Sequence, residues 1–65
     1  MKLEILGNSG FKSGDRPLKM VKMIPENQAD QELIRELNIN CLVDLMIVNQ
    51  FRQIESARIS VLPVS

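Results

Sequence analysis

Apolar and polar side chains alternate in three segments of the chain. Residues 1–6, MKLEIL, place apolar side chains on one side and charged ones on the other, which is typical of a half-buried strand. Residues 18–25 alternate less regularly and end at a proline, which cannot donate a ladder hydrogen bond. Residues 55–64, ESARISVLPV, alternate again, and Pro63 indicates a strand end or a sheet edge. We expect a strand in each segment.

The pattern becomes helical after Asn27. Ala29, Leu33 and Leu37 recur every four residues, with Ile34 beside them. Asparagine is a preferred N-cap because its side-chain oxygen can accept a hydrogen bond from the first turn. The spacing predicts a helix over residues 28–37.

Residues 41–48, CLVDLMIV, fit two structures. A continued helix would be apolar all round except at Asp44, and such a helix must be buried on every side. If the helix ends within residues 38–40, where asparagine can adopt the left-handed conformation, the segment is an eight-residue strand. We favour the strand. The element order is then β-β-α-β-β, and the fold is α+β: a small antiparallel sheet with one helix packed on one face, in a single domain over residues 1–65.

A chain of 65 residues has a thin core, because small domains bury only about 60% of the surface that they expose when unfolded. Cys41 is the only cysteine and histidine is absent, so neither an intrachain disulfide nor a structural zinc site is expected, and we predict no cofactor. With 45% hydrophobic residues, the chain is expected to complete its core by oligomerisation, most simply as a homodimer. The candidate interface comprises Leu42, Val43, Leu45, Met46, Ile47, Val48 and Phe51.

Two residues of this apolar segment carry reactive or ionisable groups. We expect Cys41 to be a small buried apolar residue at the start of the strand. Asp44 is expected to face solvent or to pair with an arginine such as Arg52 or Arg58, because an unpaired buried carboxylate is costly. A role of Asp44 in fixing the register between subunits is the alternative.

Residues 7–17, GNSGFKSGDRP, resemble a phosphate-binding loop in composition but not in spacing. Neither a P-loop nor a dinucleotide fingerprint fits the glycines at 7, 10 and 14. The stretch reads as a long connection of about ten residues, and overlong loops are often functional. The nearby cations Lys12, Arg16, Lys19 and Lys22 could contact phosphates in the manner of a β-hairpin arm laid along nucleic acid.

Charge is unevenly distributed, although the net charge is zero. Residues 1–25 carry five basic and two acidic groups, a net +3, whereas residues 26–65 carry three basic and six acidic groups, a net −3. The chain lacks histidine and tyrosine and offers no close carboxylate pair, so we do not expect an enzyme. Without a recognisable export signal or an apolar run of bilayer length, we expect a cytoplasmic protein that does not enter a membrane.

These observations predict a small non-enzymatic protein that self-associates and acts by binding another macromolecule, most simply a protein. The alternative is a nucleic-acid-binding regulator that contacts phosphates through the basic segment 12–22. A third hypothesis is an anion or nucleotide sensor built on the glycine-rich stretch.

Overall fold

The computed structural model describes residues 1–63 and shows four strands and one helix. The elements are β1 (Lys2–Ser13), β2 (Arg16–Ile24), α1 (Gln28–Ile39), β3 (Leu45–Val48) and β4 (Ile54–Val61). The strands form one sheet in the order β1-β2-β4-β3, and all neighbours are antiparallel. The predicted α+β fold with a small antiparallel sheet is confirmed. Of the two positions predicted for Pro63, the structure shows the strand end, because Pro63 follows β4. It does not mark a sheet edge, since β4 lies between β2 and β3.

The glycine-rich stretch is a β-hairpin, so the prediction of a ten-residue loop over residues 7–17 is wrong. β1 continues to Ser13, and only Gly14 and Asp15 form the turn. Gly7 and Gly10 have φ of 100° and 88°, and the β1–β2 register shifts next to them, so the extra residues are accommodated as bulges. Gly14 has φ of 63°, as the first central residue of a type II′ hairpin turn requires.

The predicted N-cap of α1 is confirmed. Asn27 Oδ1 accepts a hydrogen bond of 2.9 Å from the backbone N–H of Asp30. The helix extends to Ile39, two residues beyond the predicted end. The predicted apolar residues of the helix are buried only in part. Ile34 is buried and Leu37 packs against the core, whereas Ala29 and Leu33 are exposed.

The helix ends in a Schellman motif with a left-handed cysteine. The backbone N–H of Cys41 donates to the carbonyl of Asn38, and that of Leu42 donates to the carbonyl of Leu37, both at 3.0 Å. Cys41 has φ of 59°, whereas Asn40, the C-cap, has φ of −84°. An asparagine was expected in the left-handed position; because the helix is longer than predicted, this position falls on Cys41.

The strand interpretation of residues 41–48 is correct, but β3 contains only Leu45–Val48. Residues 41–44 cap the end of the helix and form the connection to β3. Cys41 is exposed, so the prediction that it is buried is wrong. Asp44 is exposed and accepts a hydrogen bond of 2.6 Å from Ser60 Oγ, and within residues 1–63 it has no arginine partner.

Within residues 1–63, the core consists of four buried apolar residues between α1 and the sheet: Met23, Ile34, Ile54 and Ala57. A bulge at Glu55 places both Ile54 and Ala57 on the helix side, because Ile47 pairs with Ser56 while Val48 pairs with Ile54. The Ile34 side chain is 0% exposed and is the largest fully buried one within residues 1–63.

Candidate functional site

The surface of residues 1–63 displays many large apolar side chains around this small core. They are Leu3, Ile5, Leu6, Phe11, Leu33, Ile39, Leu42, Leu45, Ile47, Val48, Phe51 and Leu62. Single exposed apolar residues are normal, but contiguous apolar patches on small proteins mark interaction surfaces. Two groups of these residues lie at the outer strands of the sheet, one at each edge.

The first group comprises Leu3 and Ile5 of β1 together with Leu33 of α1, and is called the β1 surface. Leu3 pairs with the buried Met23, so it points to the helix side of the sheet, as does Ile5. Nevertheless, Leu3 is 63% and Ile5 is 79% exposed. At 100° per residue, Leu33 projects from the flank of α1 that Asp30 shares, and Asp30 contacts the β1 end of the sheet through Met1.

Helix α1 leaves the β1 surface uncovered, because polar contacts attach the helix to the β3–β4 hairpin. Gln31 binds the backbone of Ile54 twice: its Nε2 donates to the carbonyl at 2.9 Å, and its Oε1 accepts from the N–H at 2.8 Å. Arg35 Nη2 donates to the carbonyl of Arg52 at 3.0 Å. The helix therefore lies over β2, β4 and β3, and the apolar side of β1 remains exposed.

The second group is the β3 edge, defined as Leu45–Val48, which is an outer strand of the sheet. Leu45, Ile47 and Val48 are 48%, 42% and 44% exposed. The predicted oligomer interface is only partly available, because Val43 and Met46 pack against the core. Its other members, Leu42 and Phe51, are exposed to 56% and 73%.

Phe51 is presented by the turn that joins β3 to β4. Asn49 Oδ1 accepts hydrogen bonds from the N–H groups of Phe51 at 2.9 Å and Gln53 at 3.0 Å. The N–H of Arg52 donates to the carbonyl of Asn49 at 3.0 Å, and Arg52 has φ of 61°. This is the geometry of a three-residue hairpin loop in which the last residue is left-handed, a position that favours glycine.

The four predicted phosphate contacts do not share one face of the β1–β2 hairpin. Arg16 and Lys22 are six residues apart on β2 and point to one side, whereas Lys19 points to the other. Lys12 lies opposite Pro17, on the side of Lys19. Lys12 and Arg16 are exposed near the turn, while Lys19 is half-buried and its Nζ donates to Asn8 Oδ1 at 2.9 Å. Sequence spacing alone did not reveal this division, because the strand extends farther than predicted.

The strongest electrostatic contact joins the N-terminal amino group to the start of α1. The amino nitrogen of Met1 lies 2.8 Å from Glu26 Oε1 and 3.0 Å from Asp30 Oδ2, and these hydrogen bonds raise the pKa of the amino group. The backbone N–H of Glu26, 3.0 Å from Asp30 Oδ2, lowers the pKa of Asp30, and the Met1 amino group lowers it further. The contact ties β1 to α1 and requires no catalytic role.

A polar cleft of about 470 Å³ lies beside the start of α1, between Asn27, Gln31 and Gln53. Two of its amide side chains already have partners: Gln31 binds the backbone of Ile54, and Asn27 caps the helix. Within residues 1–63, no group of His, Cys, Asp and Glu side chains could hold a metal ion. The helix that the structure describes in this range is too short and too polar to span a membrane.

Comparisons of the chain with protein-family models, curated proteins and solved structures find no match. The surface features that can bind a partner are the two apolar edges of the sheet and the β1–β2 hairpin with its cations Lys12, Arg16, Lys19 and Lys22.

Proposed function

We propose that this chain is a small non-enzymatic protein that self-associates as a dimer and acts by binding another macromolecule, most simply a protein. The observation that carries the proposal is the exposed aliphatic surface on both edges of a sheet whose core, within residues 1–63, has four buried apolar residues.

The energy available from covering these residues supports self-association. Full burial of a Leu, Ile or Val side chain contributes about 1.5–3 kcal/mol. Covering a side chain that is half exposed can therefore contribute roughly half of this free energy. Leu45, Ile47 and Val48 are each close to half exposed. Because two copies contribute the same residues, the potential gain doubles in a symmetric interface.

Sedimentation equilibrium over roughly a hundredfold range of protein concentration tests the self-association. We expect the mass to rise from that of one chain to that of two with concentration. A mass of one chain throughout, at every concentration and at low salt, would refute the proposed dimer.

The β1 surface supports the second part of the proposal, because a dimer formed at β3 leaves Leu3 and Ile5 exposed. A protein partner cross-linked in cells to the wild type should be lost with Ile5→Glu, while the dimer persists. Equal cross-linking by both proteins would rule out the β1 surface as the contact.

The projecting hairpin supports the alternative, nucleic-acid binding. The molecule measures 40 × 20 × 18 Å, and the exposed Lys12 and Arg16 lie near the hairpin turn. Because each face of the hairpin carries only two of the four cations, we expect log K to fall with log[salt] at a slope of about −1.8 on duplex DNA. Absence of gel retardation at low salt would eliminate this alternative.

A further inference from the structure

The two outer strands of the sheet differ in how well they are protected against pairing with another chain. An outer strand exposes unpaired N–H and C=O groups, and native proteins protect such edges with bulges and charged side chains. β1 has both devices: register shifts after Ile5 and after Asn8, and the charged residues Lys2, Glu4 and Lys12. Leu45–Val48 has no charge, no proline and no extra residue, since the bulge in that hairpin belongs to β4.

We propose that the β3 edges of two copies pair antiparallel about a two-fold axis at Met46, which joins the two sheets into one of eight strands. The inference rests on the proposed self-association and specifies its geometry. A second copy can pair with this edge because Leu45–Val48 carries no charge, so two identical strands meet without opposing like charges.

The register follows from the direction of the side chains. Residues directly opposite each other in antiparallel strands point to the same face of the sheet, so the axis must pass through a residue rather than between two. An axis at Met46 pairs Leu45 with Ile47 of the second copy, and Ile47 with Leu45. An axis at Ile47 would instead place Leu45 opposite an asparagine, Asn49.

The Met46 register covers the exposed side chains best. Leu45 and Ile47 lie on the face of the sheet opposite the core, since they pair with Arg58 and Ser56 and alternate with the core-facing Met46. The pairing joins four aliphatic side chains into one cluster on that face. Asp44, whose carboxylate accepts a hydrogen bond from Ser60 Oγ, lies opposite Val48 of the second copy, so the two carboxylates stay apart.

Ile47→Lys tests the edge, and Ile5→Lys is its matched control. Both replace an exposed aliphatic residue on an outer strand by lysine, and circular dichroism verifies that each variant is folded. We expect Ile47→Lys to weaken dimerisation by at least about tenfold, because the charge would enter the aliphatic cluster. Ile5→Lys should leave the dimerisation constant unchanged.

Disulfide trapping tests the register. In a Cys41→Ala background, Leu45→Cys and Ile47→Cys proteins, one of them carrying a mass tag, are oxidised separately and as a mixture. Opposite residues lie within the Cα separation that a disulfide spans, so the mixture should give a mixed disulfide at a yield several times that of either protein alone.

The outcomes separate this inference from the proposed function. A wild type that sediments as one chain overturns both. A dimer that tolerates Ile47→Lys, or that Ile5→Lys weakens equally, overturns the edge pairing and leaves self-association standing. Efficient cross-linking of Ile47→Cys alone overturns the Met46 register.

Discussion

Replacing Cys41 by glycine should stabilise the fold, because Cys41 is a non-glycine residue held in the left-handed conformation at the end of α1. Its φ is 59°, and its N–H group bonds the carbonyl of Asn38. The left-handed conformation costs an L-residue roughly 1–2 kcal/mol, because Cβ approaches the following carbonyl oxygen. The Schellman hydrogen bonds hold Cys41 in this conformation.

The magnitude follows from two opposing effects. Cys41→Gly removes the steric cost, but glycine increases the conformational entropy of the unfolded chain, which opposes folding by about 0.4–1 kcal/mol. A net stabilisation of roughly 0.5–1 kcal/mol remains, which corresponds to a rise in Tm of about 2–8 °C for a domain of this size. The exposed thiol has no packing to lose, since Cys41 lies on the surface.

Thermal and urea unfolding, followed by circular dichroism at one fixed protein concentration, measures the effect, because association makes Tm depend on concentration. Cys41→Ala is the matched control: it removes the thiol but keeps Cβ, so its stability should equal that of the wild type. If alanine stabilises as much as glycine, or if glycine destabilises, the explanation by backbone strain is refuted.

Three further perturbations follow from the same structure. Arg52→Gly relieves a second left-handed residue (φ 61°) and should raise the free energy of unfolding by about 0.5–1 kcal/mol in urea titration, whereas Arg52→Ala should give no gain. Ile34→Ala leaves a cavity at the centre of the core and should lower the free energy of unfolding by about 2–5 kcal/mol. A decrease below about 1 kcal/mol would contradict the burial of Ile34 in the core. The lowered pKa of Asp30 means that its carboxylate stabilises the fold above its ordinary pKa of 3.8, and that this contribution disappears as the pH falls through the lower folded value. Asp30→Asn should therefore be less stable than the wild type at neutral pH, and a difference that persists in acid would contradict this linkage.

The sequence predicted the element types well because each had a local signal. Asn27 capped the helix as expected, and alternation located β1, β2 and β4. The helix end was misplaced because the left-handed position falls on a cysteine, which has no marked preference for it. The hairpin over residues 7–17 was missed because glycines that signal a loop also permit bulges within a strand.

The candidate surfaces were only partly predictable. The apolar run identified the candidate interface residues of 42–51. Which of them face the core depends on where β3 begins and on the bulge at Glu55. The exposure of Leu3 and Ile5 could not be inferred from alternation, because it depends on where Gln31 and Arg35 attach the helix. These are tertiary contacts between segments that are distant in sequence.

The bulged β1–β2 hairpin extends beyond the last pair that β2 forms with β4, Lys19 with Val61. Past that point each strand pairs only with the other, and Arg16 Nη2 donates a hydrogen bond of 3.2 Å to the carbonyl of Pro63. Local opening there breaks few contacts, so its amide hydrogens should exchange with solvent long before those of the inner strand β4. A protease that cleaves near Gly14 would then act on the folded molecule. The two fragments would stay associated through the pairs from Lys2–Ile24 to Ile5–Val21, which lie beside the core.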